Sequence, residues 1–149
     1  MVRVQPASTK SHHGARGPGA LPRPGILRGV DLDREELARW LAQAEHTLAS
    51  GRRDVLEGDY DWAAFKAQQA AELALKGLLR GLGQPTYGHS VKRLLEALAQ
   101  AGVAFPGELV QAAQELDIHY VPARCPDAYP AGSPHDTTPC RLAPAWGPR

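Results

Sequence analysis

Residues able to do chemistry crowd into one stretch near the end of the chain: His119, Tyr120, Arg124, Asp127, Tyr129 and His135. Arg124 stands between Pro122 and Pro126, and the fixed proline φ angles stiffen the segment that aims its side chain. A guanidinium is a planar fork of donors. It suits either Asp127 and the carbonyls of a helix end, or a phosphate from outside. Tyr129 reads as an aromatic lid. His119 closes a helical stretch, where the helix dipole favours a protonated imidazole. His89 lies in a loop just before Ser90 and is expected to donate to a neighbouring carbonyl.

A second set sits at helical spacing further back. Glu72 and Lys76 are i, i+4 in the favourable order for a surface ion pair. With Trp62, Phe65 and Gln69 they form a strip whose mixed aromatic and polar character suits a protein interface. The strip is therefore the candidate partner face. Metal chemistry has little to stand on. His12 and His13 have no cysteine or acid beside them, and Cys125 and Cys140 are too few for a structural site. Two cysteines read as reduced thiols in a cytoplasmic protein, and no cofactor is implied.

The 149 residues are enough for one domain with a real core. Lysine and arginine number 17 against 16 acids, so net charge names no partner. Five of the cations lie in residues 1–30, leaving 12 against 16 acids in the remainder, which argues against a strongly electrostatic DNA-binding surface. No apolar run is long enough to span a membrane, and the basic N-terminus has no secretory apolar region.

The elements that must position these residues are all helical. Residues 1–30, rich in Gly, Pro, Ser and Arg, are expected to be disordered, or to lie upstream of the true translation start. Asp33-Arg-Glu-Glu36 has capping-box spacing and opens a first helix with Leu37, Trp40, Leu41, Ala44, Leu48, Val55 and Leu56 as its stripe, ended by Gly58. A second helix over 59–83, capped by Asp59 or Asp61, is apolar around more than half its circumference and belongs in the middle of a bundle. Ser90 caps a third helix with Val91, Leu94, Leu95, Leu98 and Ala101 inward. Pro106 suits the first turn of a fourth, lined by Leu109, Ala112, Ala113 and Leu116. Beyond Tyr120 the prolines forbid any long helix. The expected fold is all-α: an up-and-down bundle of four helices over residues 31–130, with an irregular N-terminal extension and an irregular tail, 131–149.

Three stretches, WAAFKAQQAAELALKGLL (62–79), GHS (88–90) and HYVPARCPDAYP (119–130), resemble the HEPN domain family over roughly residues 31–136. The resemblance implies a small, usually dimeric helical bundle often encoded beside a minimal nucleotidyltransferase. Some members are ribonuclease toxins of toxin–antitoxin pairs. Those carry an Arg followed after four to six residues by a His: the Arg clamps the scissile phosphate and the His moves protons. Arg124 matches the Arg, but positions 129–131 are Tyr129, Pro130 and Ala131. His135 lies beyond the spacing, and a phenol of pKa about 10 is a poor base at neutral pH. The resemblance therefore implies a non-catalytic partner of a nucleotidyltransferase that binds nucleotide or RNA phosphate at Arg124. The alternative is a ribonuclease using Arg124 with Tyr129 or His135. It also makes Tyr129 a candidate for modification with AMP by the nucleotidyltransferase.

Members continue into a further helix that closes the bundle. Here residues from His135 to Arg149 read as non-helical. A Tyr-Tyr-Thr codon run read one nucleotide late gives the Thr-Thr-Pro found at 137–139, so a frameshift after Asp136 is expected. Four helices alone would leave an apolar face uncovered.

Overall fold

Asp33 does cap the first helix: its carboxylate accepts from the Glu36 backbone N–H at 2.9 Å. In the computed structural model, which describes residues 31–137, this helix, α1, runs Arg34–Glu57 and ends at Gly58 in the left-handed conformation, φ 85°. Only half of the predicted capping box forms. Glu36 turns sideways to accept from Trp40 Nε1 (2.9 Å) and Arg80 Nε (3.1 Å), while the Asp33 N–H donates to the Gly81 carbonyl at 2.8 Å.

α2 (Tyr60–Gly81) returns antiparallel along α1. Asp59 occupies its N-cap position without a side-chain cap bond, and Asp61 is buried. The α1–α2 contact is unusually close because α2 presents glycines to it. A Cβ built on Gly77 would lie 2.4 Å from Trp40 Cβ, and one on Gly81 would lie 3.0 Å from the Asp33 carbonyl oxygen. Arg80 crosses back over the Trp40 ring, 5.2 Å from its centre. At the other end Lys66 pairs with Asp54 at 2.6 Å.

α3 (Val91–Gln100) and α4 (Glu108–Ile118) complete the bundle. Ser90 caps α3 as predicted, accepting from the Arg93 N–H at 3.2 Å. Leu79 of α2 meets Val91, Leu94, Leu95 and Leu98 of α3 and Ala113 of α4 in one buried cluster. The fourth helix needs correction: it begins two residues after Pro106, and Leu109 and Ala112 are exposed, leaving Ala113 as its buried residue. Leu41 and Leu56 of α1 are exposed too.

α1 packs on α2, whereas α4 packs on α3 and α2. Between α1 and α4 the Ala67, Ala70, Ala71 and Ala74 stripe floors an apolar groove of about 530 Å³, flanked by Leu41, Leu48 and Leu116. Among the described residues, the uncovered apolar face expected of four helices is therefore present.

After α4 come a 3-10 turn, Pro126–Ala128, and a short α5, Pro134–Thr137, which packs on α2. α5 corrects the expectation that the chain is non-helical from His135. Pro134 supplies the first helical φ, and Asp136 Oδ2 accepts from Ser133 N–H (3.2 Å) and Oγ (2.8 Å), one half of a capping box. The expectations for residues 1–30, and for most of the proposed frameshifted tail, fall outside the described residues. Among those described, no helix is long and apolar enough to cross a membrane.

Gly77→Ala tests the close approach. Alanine favours an isolated helix by about 1 kcal/mol, yet here overpacking against Trp40 should destabilise the fold by about 1–3 kcal/mol. A urea midpoint equal to or above the parent's would show that the helices can separate freely.

Candidate functional site

Glu72, within the polar strip of α2, is turned inward, while Trp62 at the start of the strip is exposed. Glu72, spaced one helical turn from Gln68 and Lys76, is 5% exposed. A buried carboxylate must find donors or neutralise, and Glu72 finds four. Lys76 Nζ lies at 2.8 Å, His89 Nδ1 at 3.0 Å, Gln69 Nε2 at 3.1 Å and Gln68 Nε2 at 3.3 Å. Gln68, fully buried, also donates to the His89 carbonyl at 2.6 Å and accepts from Gln69 at 2.7 Å. The Glu72–Lys76 pair predicted for the surface is thus largely enclosed, with side-chain exposures of 7% and 16%.

His89 corrects its prediction as well. Its ring faces the Glu72 carboxylate, not a carbonyl, because α2 places that carboxylate beneath the loop. The side chain remains 57% exposed, and Nε2 has no partner among the described residues. The ring stacks on Tyr120 with centres 5.0 Å apart and planes 15° apart. The loop carrying His89 is fixed on its other side by α4. Asp117 accepts from Ser90 Oγ (2.7 Å), Val91 N–H (2.7 Å) and Lys92 N–H (3.1 Å), a carboxylate at the positive end of α3.

Tyr120 connects this cluster to Arg124. The Arg124 guanidinium lies over both Phe65 and Tyr120, 4.5 and 4.6 Å from the ring centres. Its Nε donates to the Tyr120 carbonyl at 2.9 Å. This is the helix-end carbonyl anticipated for Arg124, while its two terminal amines have no partner among the described residues. Phe65 is in turn met edge-on by Trp62, which is 49% exposed. His89 also borders a recess of about 340 Å³ lined by Tyr87, Ser90 and Arg93 among others.

The other candidates stand apart. Tyr129 is half-buried, closing the 3-10 turn through its N–H to Pro126, and His135 is exposed on α5. Neither side chain joins the aromatic faces that hold Arg124, which are those of Phe65 and Tyr120. His119 does sit at the C-cap of α4, but burial pushes its pKa below the ordinary 6.5, against the raising effect of Glu115. Sequence reasoning missed Gln68, Asp117 and Tyr120 as organisers. An available signal was Gln68's place between Ala64 and Glu72, on the buried side of α2.

Two measurements probe this arrangement. Glu72→Leu should cost about 3 kcal/mol, because Lys76 loses its counter-ion in a largely enclosed place. Adding Lys76→Met should restore much of that loss, and strict additivity of the two changes would refute the coupling. His119 binds its proton less readily folded than unfolded. Its contribution is therefore intact above pH 6.5 and is lost as pH falls below that value towards the depressed folded pKa. Denaturant midpoints of His119→Gln should show a shallower decline below about pH 6.5 than the parent.

The comparisons with known proteins agree with this architecture. The HEPN domain model matches residues 37–141. The crystal structure of TT1696 from Thermus thermophilus is similar at 44% identity, with 74% of this chain and 87% of that chain covered and a TM-score of 0.70. ST0689, an archaeal HEPN homologue, is similar at 36% identity, covering 74% of this chain and 84% of its own, with a TM-score of 0.60. Among curated proteins none gives a match. With the family model spanning most of its length and two solved structures this alike, the chain belongs to the HEPN domain family.

Proposed function

We propose that this HEPN-domain chain is the helical partner of a minimal nucleotidyltransferase in the cytoplasm, and that it binds a nucleotide or RNA phosphate through Arg124. The observation that carries the binding reading is the state of the Arg124 guanidinium. Nε is spent on the Tyr120 carbonyl and the plane rests on Phe65 and Tyr120, while neither terminal amine has a partner among the described residues. An arginine so held has already given up much of its rotamer freedom. A phosphate oxygen pair can then be bound with little further ordering cost. The neighbouring Trp62 offers an exposed aromatic face on which a base can stack.

The nucleotidyltransferase partnership rests on the family resemblance. In this reading the exposed Trp62 end of the α2 strip is the contact face for that partner or for a second copy, with Phe65 and Gln69 behind it. Glu72 and Lys76 support the face from inside. Tyr129 is the proposed acceptor of AMP, in a toxin–antitoxin relation between the two proteins.

Arg124→Ala should weaken binding of a short single-stranded RNA by about tenfold or more, the worth of one charge-assisted contact. Fluorescence anisotropy at low salt reads it directly. An unchanged affinity would remove Arg124 from the site.

A further inference from the structure

The groove between α1 and α4 is separate from the site built on Glu72 and Arg124. Its floor is the alanine stripe of α2, which by helical spacing lies on the far side of that helix from Phe65, Gln69 and Lys76. Its walls are aliphatic, with Leu41 and Leu48 on α1 and Leu116 on α4. Among the described residues the charged groups that line it are both acids. Glu45 stands on the α1 wall and Glu115 on the α4 wall, and each is exposed. Neither carboxylate makes a hydrogen bond or an ion pair among the described residues. An apolar trough rimmed by unpaired acids fits an occupant with bulky apolar side chains below and cations at its flanks.

Backbone chemistry narrows the occupant further. The described residues contain no strand, so an extended segment finds no sheet edge to pair with. Its amides would lie unsatisfied against alkyl walls. A helix satisfies its own amides, and an alanine floor leaves room for large side chains at i, i+3, i+4 and i+7. A second copy of this chain would set Glu45 and Glu115 against the same two acids, and an anionic lipid surface would be repelled likewise.

We propose that this groove docks a basic amphipathic helix of another protein. The apolar face of that helix lies on the alanine stripe, and its Lys or Arg flanks meet Glu45 and Glu115. Leu41 and Leu48 are seven residues apart, about 10 Å of helix, so a partner segment of about three turns covers the groove. A partner seated there leaves Arg124 and Trp62, on the other side of α2, accessible.

The test uses the full chain and two labelled synthetic peptides of about 16 residues, designed as amphipathic helices. Both carry leucines at i, i+3, i+4 and i+7. One has lysine flanks, and its twin has glutamate in their place. Fluorescence anisotropy at low salt should show the lysine peptide binding about tenfold or more tightly than the twin. Glu45→Lys combined with Glu115→Lys should reverse that order, and both acids are exposed, so the fold tolerates the change. Ala112→Phe fills the groove from an exposed position on α4 and should weaken the lysine peptide about tenfold or more. Lysine-peptide binding that survives both sets of changes overturns the proposal, since the peptide then sits elsewhere. Failure of the full chain to bind either peptide overturns it too, since the groove is then closed or taken by the chain itself. A parent that light scattering shows to be a dimer, and that Ala112→Phe splits into monomers, assigns the groove to a second copy and also overturns it.

Discussion

The charge of Glu72 is the constraint on which the rest of the site depends. A carboxylate on the buried side of a central helix is tolerated only if its oxygens are satisfied. Three of its donors, Gln68, Gln69 and Lys76, come from its own helix and follow from spacing alone. The fourth, His89, comes from the loop after that helix, so satisfying Glu72 also fixes where the loop can go. Gln68 strengthens the tie by donating to the backbone carbonyl of the same residue. The loop is thereby held by its side chain and its main chain together.

Asp117 holds the next residue from the opposite side. It neutralises the exposed N–H groups that start α3, and a negative charge there is favoured by the helix dipole. Because Asp117 belongs to α4, the same contacts orient α4 on α3 and deliver Tyr120, just beyond the helix end, against His89. Two acids on different helices thus bracket the pair His89–Ser90. Neither would achieve this alone: Glu72 sets the ring, and Asp117 sets the helix that brings the aromatic partner.

Much of the scaffold was legible in the sequence because local chemistry decides it. Asp33, Gly58 and Ser90 each solve a helix-end problem within three or four residues, and they occupy the positions their types predict. Leu94, Leu95 and Leu98 are buried as their periodicity requires. The misreadings share a cause. Leu41 and Ala112 satisfy a helical stripe, yet whether a stripe is covered depends on which neighbour arrives, and α1 and α4 leave a groove between them that both residues line. Glu72 and Lys76 likewise have the spacing of a surface pair. Their enclosure depends on a loop whose path no local pattern specifies. The role of Arg124 was open on its proline-bound segment, and its stacking on Phe65 joins residues far apart in sequence.

The same distinction bears on how Arg124 and His89 come to meet one ring, that of Tyr120. A fixed spacing along the chain is one way to bring a guanidinium and an imidazole together, and that spacing is broken here by Tyr129, Pro130 and Ala131. The fold provides another. Arg124 comes from the irregular segment after α4, His89 from the loop before α3, and each rests on Tyr120. Chain proximity alone would leave both side chains free to rotate. Here Arg124 is restrained by its Nε bond and two aromatic faces, and His89 by Glu72 and one face. Restraint before binding is what makes a polar group effective toward a charged ligand, since reorganisation then costs little when the ligand arrives.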